Sequence, residues 1–530
     1  MRLSSAQLPA RLLSSLVDWL ERVERFLAAH AVGILAVLLC LYACISVLRA
    51  ISLRFWFDEL FTVYVGQQGS LTDLLHAVRD AFDPLPLGFH LLVRPFVRAT
   101  AWPHVMARVP SIAGFGAMLV GLWVVARRRM GPSNALIAFA FPCLTTAAVV
   151  YSVEARPYGL VLGFAALALV CWQAACERHP RTLWLIGLWA SLTVALSCHY
   201  YAVLLLVPIC AGELVRWIQR RRPDIPVFLA TVGSLCVLLF SWPVIQSARR
   251  LSAHFWSPPV WKHVGQFYTG LVHIWTIVVV ILGAALIFGA WILRGRVKIW
   301  REASAEASGF LPHEWTAIAT LVLLPFLGMT LAVIVTHAYT ERYALPALLG
   351  IALAIAGLAA RCTRRLPGGA VLPAAVLIAG GFVAPLFTAG ARARQSGGPP
   401  PRFGEQSEVE AVAHTSALPI VYVDGLGYLE LHYYLAPEVA RRMYFIDDPD
   451  LAWRYTGSDS TDRGLIGLAK RVPLTVVSME PFLAAHREFL LVPTRGSWPE
   501  QELRKRAWNL TPLPGHPGDF LARAPVMQVP

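Results

Sequence analysis

Apolar runs of roughly span length alternate with short polar stretches through residues 31–390. A membrane helix needs about 20 apolar residues to cross about 30 Å of hydrocarbon. The runs at 31–52, 104–126, 133–150, 157–176, 183–198, 201–217, 226–246, 271–293, 315–336, 343–360 and 369–390 therefore predict eleven spans. The first interval between runs, 53–103, is long for a connection. Within it, Ser70-Leu71-Thr72-Asp73 has the form of a helix-capping box, and Leu71, Leu74, Leu75 and Val78 follow at helical spacing. That predicts a short amphipathic helix, lying on the membrane surface or packed against the spans. After Gly397-Gly398-Pro399-Pro400-Pro401 the period changes. Strands are predicted at 420–423, 442–446, 474–477 and 489–492, and helices at 426–435 and 499–508. Alternation of this kind predicts a small α/β domain without a glycine-rich phosphate loop.

The fold class expected is thus an α-helical polytopic membrane protein with a small C-terminal α/β domain. Composition agrees. Hydrophobic residues make up 57% of the chain and charged residues 15%, against roughly 25% charged in an ordinary globular protein. This excludes a disordered chain, a disulfide-stapled mini-protein and a simple cytosolic enzyme. The nine cysteines all lie between residues 40 and 362, mostly inside apolar runs, and show no disulfide framework or zinc spacing.

Charge then orients the chain. Residues 1–390 hold 31 Lys and Arg against 16 Asp and Glu, whereas residues 391–530 hold 15 against 16. A nucleic-acid binder would concentrate its basic excess on a polar domain, so no nucleic-acid partner is expected. Arginines between spans instead mark the cytoplasmic side. With the N-terminus in the cytoplasm, inside segments carry 20 Lys and Arg and the longer outside segments 10. The first apolar run follows an Arg- and Glu-rich stretch with no small-residue cleavage site, so it reads as a retained span. The expected layout is a cytoplasmic segment 1–30, a membrane domain 31–390 in the inner (plasma) membrane, a linker 391–402 and a periplasmic α/β domain 403–530.

Four polar clusters fall on the predicted outer face, where charges beside spans are costly and mark function by default. Phe55-Trp56-Phe57-Asp58-Glu59 sets two acids among aromatics just after the first span. It is a site for proton uptake or a solvated helix cap. Tyr151-Ser152-Val153-Glu154-Ala155-Arg156-Pro157-Tyr158 joins two spans. It is an anion site at a helix N-terminus or an internal ion pair. His199-Tyr200-Tyr201 sits at a tight turn, where an interfacial aromatic belt is the plainer reading. Glu341-Arg342-Tyr343 opens another span, with Arg342 a snorkelling anchor or a phosphate clamp. Acids suited to base work beside arginines suited to phosphate fit group transfer from a phosphate-bearing lipid. A transporter or lipid flippase would instead show internal repeats and midplane polar groups. A non-catalytic subunit of an envelope assembly is the other alternative.

These clusters, in this order and at these intervals, resemble the integral-membrane glycosyltransferases of the GT-C fold. The likeness is to the family of protein O-mannosyltransferases and the lipid A aminoarabinose transferase, and it covers roughly residues 50–350. It is carried by Trp56-Phe57-Asp58-Glu59, by Asp83 through Leu92, by Glu154 through Tyr158, by His199-Tyr200-Tyr201 and by Arg342-Tyr343. The resemblance implies a polyprenyl-phosphate sugar as donor, an envelope acceptor (lipid, glycan or protein) and single displacement with inversion. It implies Asp58 as the base with Glu59 supporting it. Arg156, Arg342 and Tyr343 would face the lipid phosphate, and Asp83, Glu154, Tyr158, His199 and Tyr200 would line the substrate pocket. The stretch Phe82-Asp83-Pro84-Leu85-Pro86-Leu87-Gly88-Phe89 departs from the family pattern, with Pro84 where a histidine is usual and both tyrosines replaced. A divalent metal near Asp58 is an open alternative that no ligand spacing supports.

Overall fold

The computed structural model describes residues 7–80, 85–246, 255–271, 281–285, 288–289, 309–363, 368–383, 403–492 and 497–525. The expected linker 391–402, Asp83 and most of the apolar run 271–293 lie outside these residues.

The membrane part is a bundle of apolar helices. Among the described residues, Ala31–Ser52, Val109–Arg127, Tyr158–Glu177 and Tyr200–Arg220 are each long and apolar enough to cross a membrane. Pro312–Val322 and Leu324–Thr336 make a fifth span bent by 54°. The bend has a local cause. Pro325 lies in the first turn of the second segment and has no amide to donate back across the break. Shorter apolar helices cover the other expected runs, at Pro132–Leu144, Thr182–Cys198, Ile225–Phe240, Ala347–Thr363 and Val371–Phe382. The run expected at 133–150 is interrupted at Thr145, whose backbone is extended and whose hydroxyl donates to the Pro142 carbonyl at 2.9 Å. On Ala31–Ser52, Val32 and Val37 are exposed, as a lipid-facing helix requires.

Glycines bring two spans into backbone contact. A Cβ on Gly114 would lie 2.4 Å from the Gly159 carbonyl oxygen, and one on Gly163 would lie 2.4 Å from that of Gly114. Small residues of this kind let membrane helices approach closely. The consequence for function is positional. This contact holds together the N-terminal ends of Val109–Arg127 and Tyr158–Glu177, beside which Arg108 and Arg156 stand.

The long interval after the first span folds, among the described residues, into three helices, Phe57–Gly66, Leu71–Asp80 and Leu87–Val97. The predicted capping box forms. The Asp73 amide donates to Ser70 Oγ at 3.0 Å, and the Ser70 amide donates to Asp73 Oδ2 at 3.1 Å. Leu74, Ala77 and Val78 are buried in protein, while Leu71 and Leu75 stay exposed.

The C-terminal residues build a six-stranded sheet in the order β3-β2-β1-β4-β6-β5. β1 (Ile420–Tyr422), β2 (Met443–Asp447), β3 (Val476–Ser478) and β4 (Glu488–Val492) are parallel neighbours. β5 (Asn509–Leu513) and β6 (His516–Arg523) form an antiparallel hairpin on β4, which the sequence pattern did not predict. Alternation along β1 separates two cores. Ile420 and Tyr422 join the core that is continuous with the membrane bundle, and Val421 joins a second core on the other side of the sheet. The α/β unit is therefore packed on the bundle. The turn after β1 is closed to anions, because Asp424 accepts from the amides of Leu426 and Gly427 at 3.2 and 3.1 Å.

Candidate active site

Asp58 and Glu59 are consecutive in the first turn of Phe57–Gly66, so their side chains leave the helix about 100° apart. The two acids consequently have different fates. Glu59 is 1% exposed and forms a bidentate pair with Arg108, itself 1% exposed: Arg108 Nε donates to Oε1 at 2.8 Å and Nη2 to Oε2 at 2.7 Å. The Ala155 amide adds a donor to Oε1 at 2.7 Å, and the Trp56 amide one to Oε2 at 3.3 Å. Arg108 spends its other donors on the carbonyls of Ala50, Leu53 and Arg54 at 2.8 to 2.9 Å. Both Glu59 oxygens are occupied, so the expected role of a supporting acid gives way to a structural one: with Arg108, it fixes the exit of the first span. Sequence reasoning missed Arg108, because one arginine at the head of a span reads as an interfacial anchor.

Asp58 turns the other way. Its Oδ2 lies 2.9 Å from Arg342 Nη1. Arg156, 6% exposed, donates from Nη1 to the Asp58 carbonyl at 3.1 Å and to Thr62 Oγ1 at 3.3 Å. Residues 58, 156 and 342, distant in sequence, thus meet at one place. The Arg342 guanidinium carbon lies 5.8 Å from the Trp56 ring centroid and 5.6 Å from that of Tyr158, between two aromatic faces. A cavity of about 460 Å³ opens beside it, lined by Tyr151, Glu341, Arg342 and Leu345 and by Gln266 and Thr269 of the helix Lys262–Gly270. That helix carries no motif that sequence reasoning singled out.

An aromatic group backs the arginine. The His199 ring is 5.7 Å from Tyr158 and 4.9 Å from Tyr343, and Tyr343 is 4.6 Å from Tyr201. His199 Nδ1 accepts from the Tyr201 amide at 3.2 Å, and the Tyr201 hydroxyl donates to the Ala338 carbonyl at 2.6 Å. His199 and Tyr343 thereby support the segment that carries Arg342. Tyr200 opens the short helix Tyr200–Leu205 and is half-buried. His90, close to the altered first-loop motif, is fully buried on Leu87–Val97. Among the described residues, no group of three or more His, Cys, Asp or Glu is placed to hold a metal ion.

Glu154 lies in the connection between the two spans, near the cluster, and its buried Oε2 has no hydrogen-bond partner. Burial first, then the charges of Glu59 and Asp58, push its carboxyl up to about 8, against the pull of Arg342 and Arg156. The folded protein therefore holds a proton here that the unfolded chain releases near 4.5. Stability falls with pH wherever the native state binds more protons. Glu154→Gln should match wild type below pH 4.5 and become progressively the more stable of the two as pH rises toward 8. Thermal midpoints of both proteins at pH 5 and pH 8 check this; an equal gap at the two values would dismiss it.

A helical membrane bundle that gathers a carboxylate and two guanidiniums on the face where it carries an α/β unit is a recognisable arrangement. Solved structures share this fold. The chain matches the crystal structure of ArnT from Cupriavidus metallidurans in the apo state at a TM-score of 0.51 and 12% identity. It matches the same protein bound to undecaprenyl phosphate at 0.53 and 13%. Each match covers 93% of this chain and 98% of that one. Residues 86–246 match the family model described as dolichyl-phosphate-mannose-protein mannosyltransferase. No curated protein sequence matches the chain significantly. The protein shares the fold of ArnT, the GT-C architecture that its motifs resemble.

Proposed function

We propose that this protein is a membrane glycosyltransferase that moves a sugar from a polyprenyl-phosphate donor to an envelope acceptor at the outer face of the inner membrane. The observation that carries the reading is the Asp58–Arg342 pair, whose arginine lines a cavity, with Arg156 on the carbonyl of the same aspartate, in the fold of ArnT, which has been solved with undecaprenyl phosphate. The N-terminus lies in the cytoplasm in this reading, as the arginine distribution implies, and residues 403–530 lie outside.

The resting ion pair has a mechanistic consequence. A donor phosphate entering the cavity competes with the Asp58 carboxylate for Arg342, and guanidinium suits phosphate well. Seating the donor thus frees Asp58 as a base. The acceptor hydroxyl or amine attacks the anomeric carbon from the face opposite the phosphate, and Asp58 takes its proton. The bond from the anomeric carbon to the phosphate oxygen breaks, and its electron pair leaves with polyprenyl phosphate. Arg342 and Arg156 stabilise the charge that grows on that phosphate, so they act most strongly in the transition state. Tyr343, Tyr158, His199 and Tyr200 shape the pocket around the sugar, and inversion follows from single displacement.

The test is direct. Purified protein reconstituted in lipid vesicles is mixed with polyprenyl-phosphate sugars and an envelope extract, and free polyprenyl phosphate is measured. Release that depends on the acceptor supports transfer. Movement of lipid between leaflets without any release would favour a flippase and end this reading.

A further inference from the structure

Resting on the reading that Asp58 acts in transfer, we infer that the C-terminal α/β domain positions the active site, with Glu430 and Tyr434 as positioning residues. The first amides of a helix have no partner within it, and Trp56, the residue that caps Phe57–Gly66, has extended backbone. Three consecutive amides here all find acceptors. The Phe55 amide donates to the Tyr434 hydroxyl at 2.7 Å, the Trp56 amide to Glu59 at 3.3 Å and the Phe57 amide to Glu430 Oε1 at 3.2 Å. Two of the three acceptors belong to one helix of the C-terminal domain, Gly425–Tyr434, where positions 430 and 434 are four apart and share a face.

Further contacts hold this clamp in place. The Tyr434 hydroxyl lies 2.8 Å from His104 Nε2, and the Arg54 guanidinium lies over the Tyr434 ring at 4.5 Å. Tyr433 meets the Phe55 ring edge-on at 6.0 Å. The amides on both sides of Trp56 are thus held by the C-terminal domain, immediately before Asp58. Trp56 also supplies one of the two rings over Arg342. The clamp therefore sets the register of the base and of the ring beside its arginine partner. An error of about 1 Å in such a placement can cost about a hundredfold in rate.

The experiment uses the full-length protein and the variants Glu430→Ala, Tyr434→Phe, their combination and Glu430→Gln. Tyr434→Phe keeps the ring under Arg54, and Glu430→Gln keeps an oxygen that can accept from the Phe57 amide. The expected result for the double variant is a kcat lower by about ten- to a hundredfold with donor KM within about twofold of wild type. Glu430→Gln should recover most of the loss that Glu430→Ala causes. Hydrogen exchange at the amides of residues 55–57 should speed up in the double variant while the membrane helices keep their protection. Unchanged exchange there, or an unchanged kcat, overturns the inference. So does a fall in activity that only follows the folded fraction. The readouts keep the two claims apart: the exchange measurement tests the clamp without turnover, whereas a wild type inactive with every donor would refute the transferase reading instead.

Discussion

Asp58→Asn is expected to lose about a hundred- to ten-thousandfold in turnover, the share that a positioned general base supplies, while folding much as wild type does. Asn has nearly the same shape and keeps an oxygen toward Arg342, so the ion pair of 2.9 Å becomes a weaker charge–dipole contact rather than a void. The side chains at 58 and 342 both retain some exposure, which limits the cost of the lost charge. A second signature follows from the competition at Arg342. With the carboxylate gone, the donor phosphate has no rival, so donor KM should stay level or fall while kcat collapses. Steady-state kinetics with the donor varied, beside a thermal melt, read both. Turnover within tenfold of wild type would show that another group takes the proton.

The neighbouring residue should behave in the opposite way. Arg108→Ala removes the partner of Glu59 and strands a charged carboxylate that is 1% exposed, together with the carbonyls of Ala50, Leu53 and Arg54. Breaking a buried pair from one side costs about 3–5 kcal/mol. That is a large part of the roughly 5–15 kcal/mol that keeps a protein folded. The expected result is a much lower melting midpoint in detergent and loss of activity in proportion to unfolding. Removing the charge from both sides, as in Glu59→Leu with Arg108→Met, should recover only part of the loss, because the three carbonyls still lack donors. If Arg108→Ala melts like wild type, the pair does not hold the exit of the first span. The two expected outcomes together separate the adjacent acids: Asp58 is needed for turnover, Glu59 with its partner Arg108 for the fold.

Much of the site was legible before any coordinates. The clusters at 58, 156, 199 and 342 each carry a costly polar group at the edge of an apolar run, and local hydropathy reveals that. The capping box at Ser70 and Asp73 was legible because its contacts span three residues. The hairpin of β5 and β6 was not: β5 is largely exposed, contains Pro512 and offers no clear alternation. The roles of Glu59 and Arg108 were not legible either. Nothing local distinguishes two neighbouring acids until a partner 49 residues away takes one of them.

What the sequence determined by itself is therefore what depends on solvent and on near neighbours: a chain that must enter a membrane, the apolar runs that cross it, the arginine bias across its connections and the strands beyond the proline-rich stretch. Hydrophobic burial and membrane charge asymmetry act on segments, so segments reveal them. Tertiary structure alone decided which acid faces Arg342, which is sealed against Arg108, and that a helix 373 residues downstream caps the turn bearing Asp58. Those choices rest on hydrogen bonds whose direction and length are set only once distant backbones have packed, and no local pattern of residue types encodes that geometry.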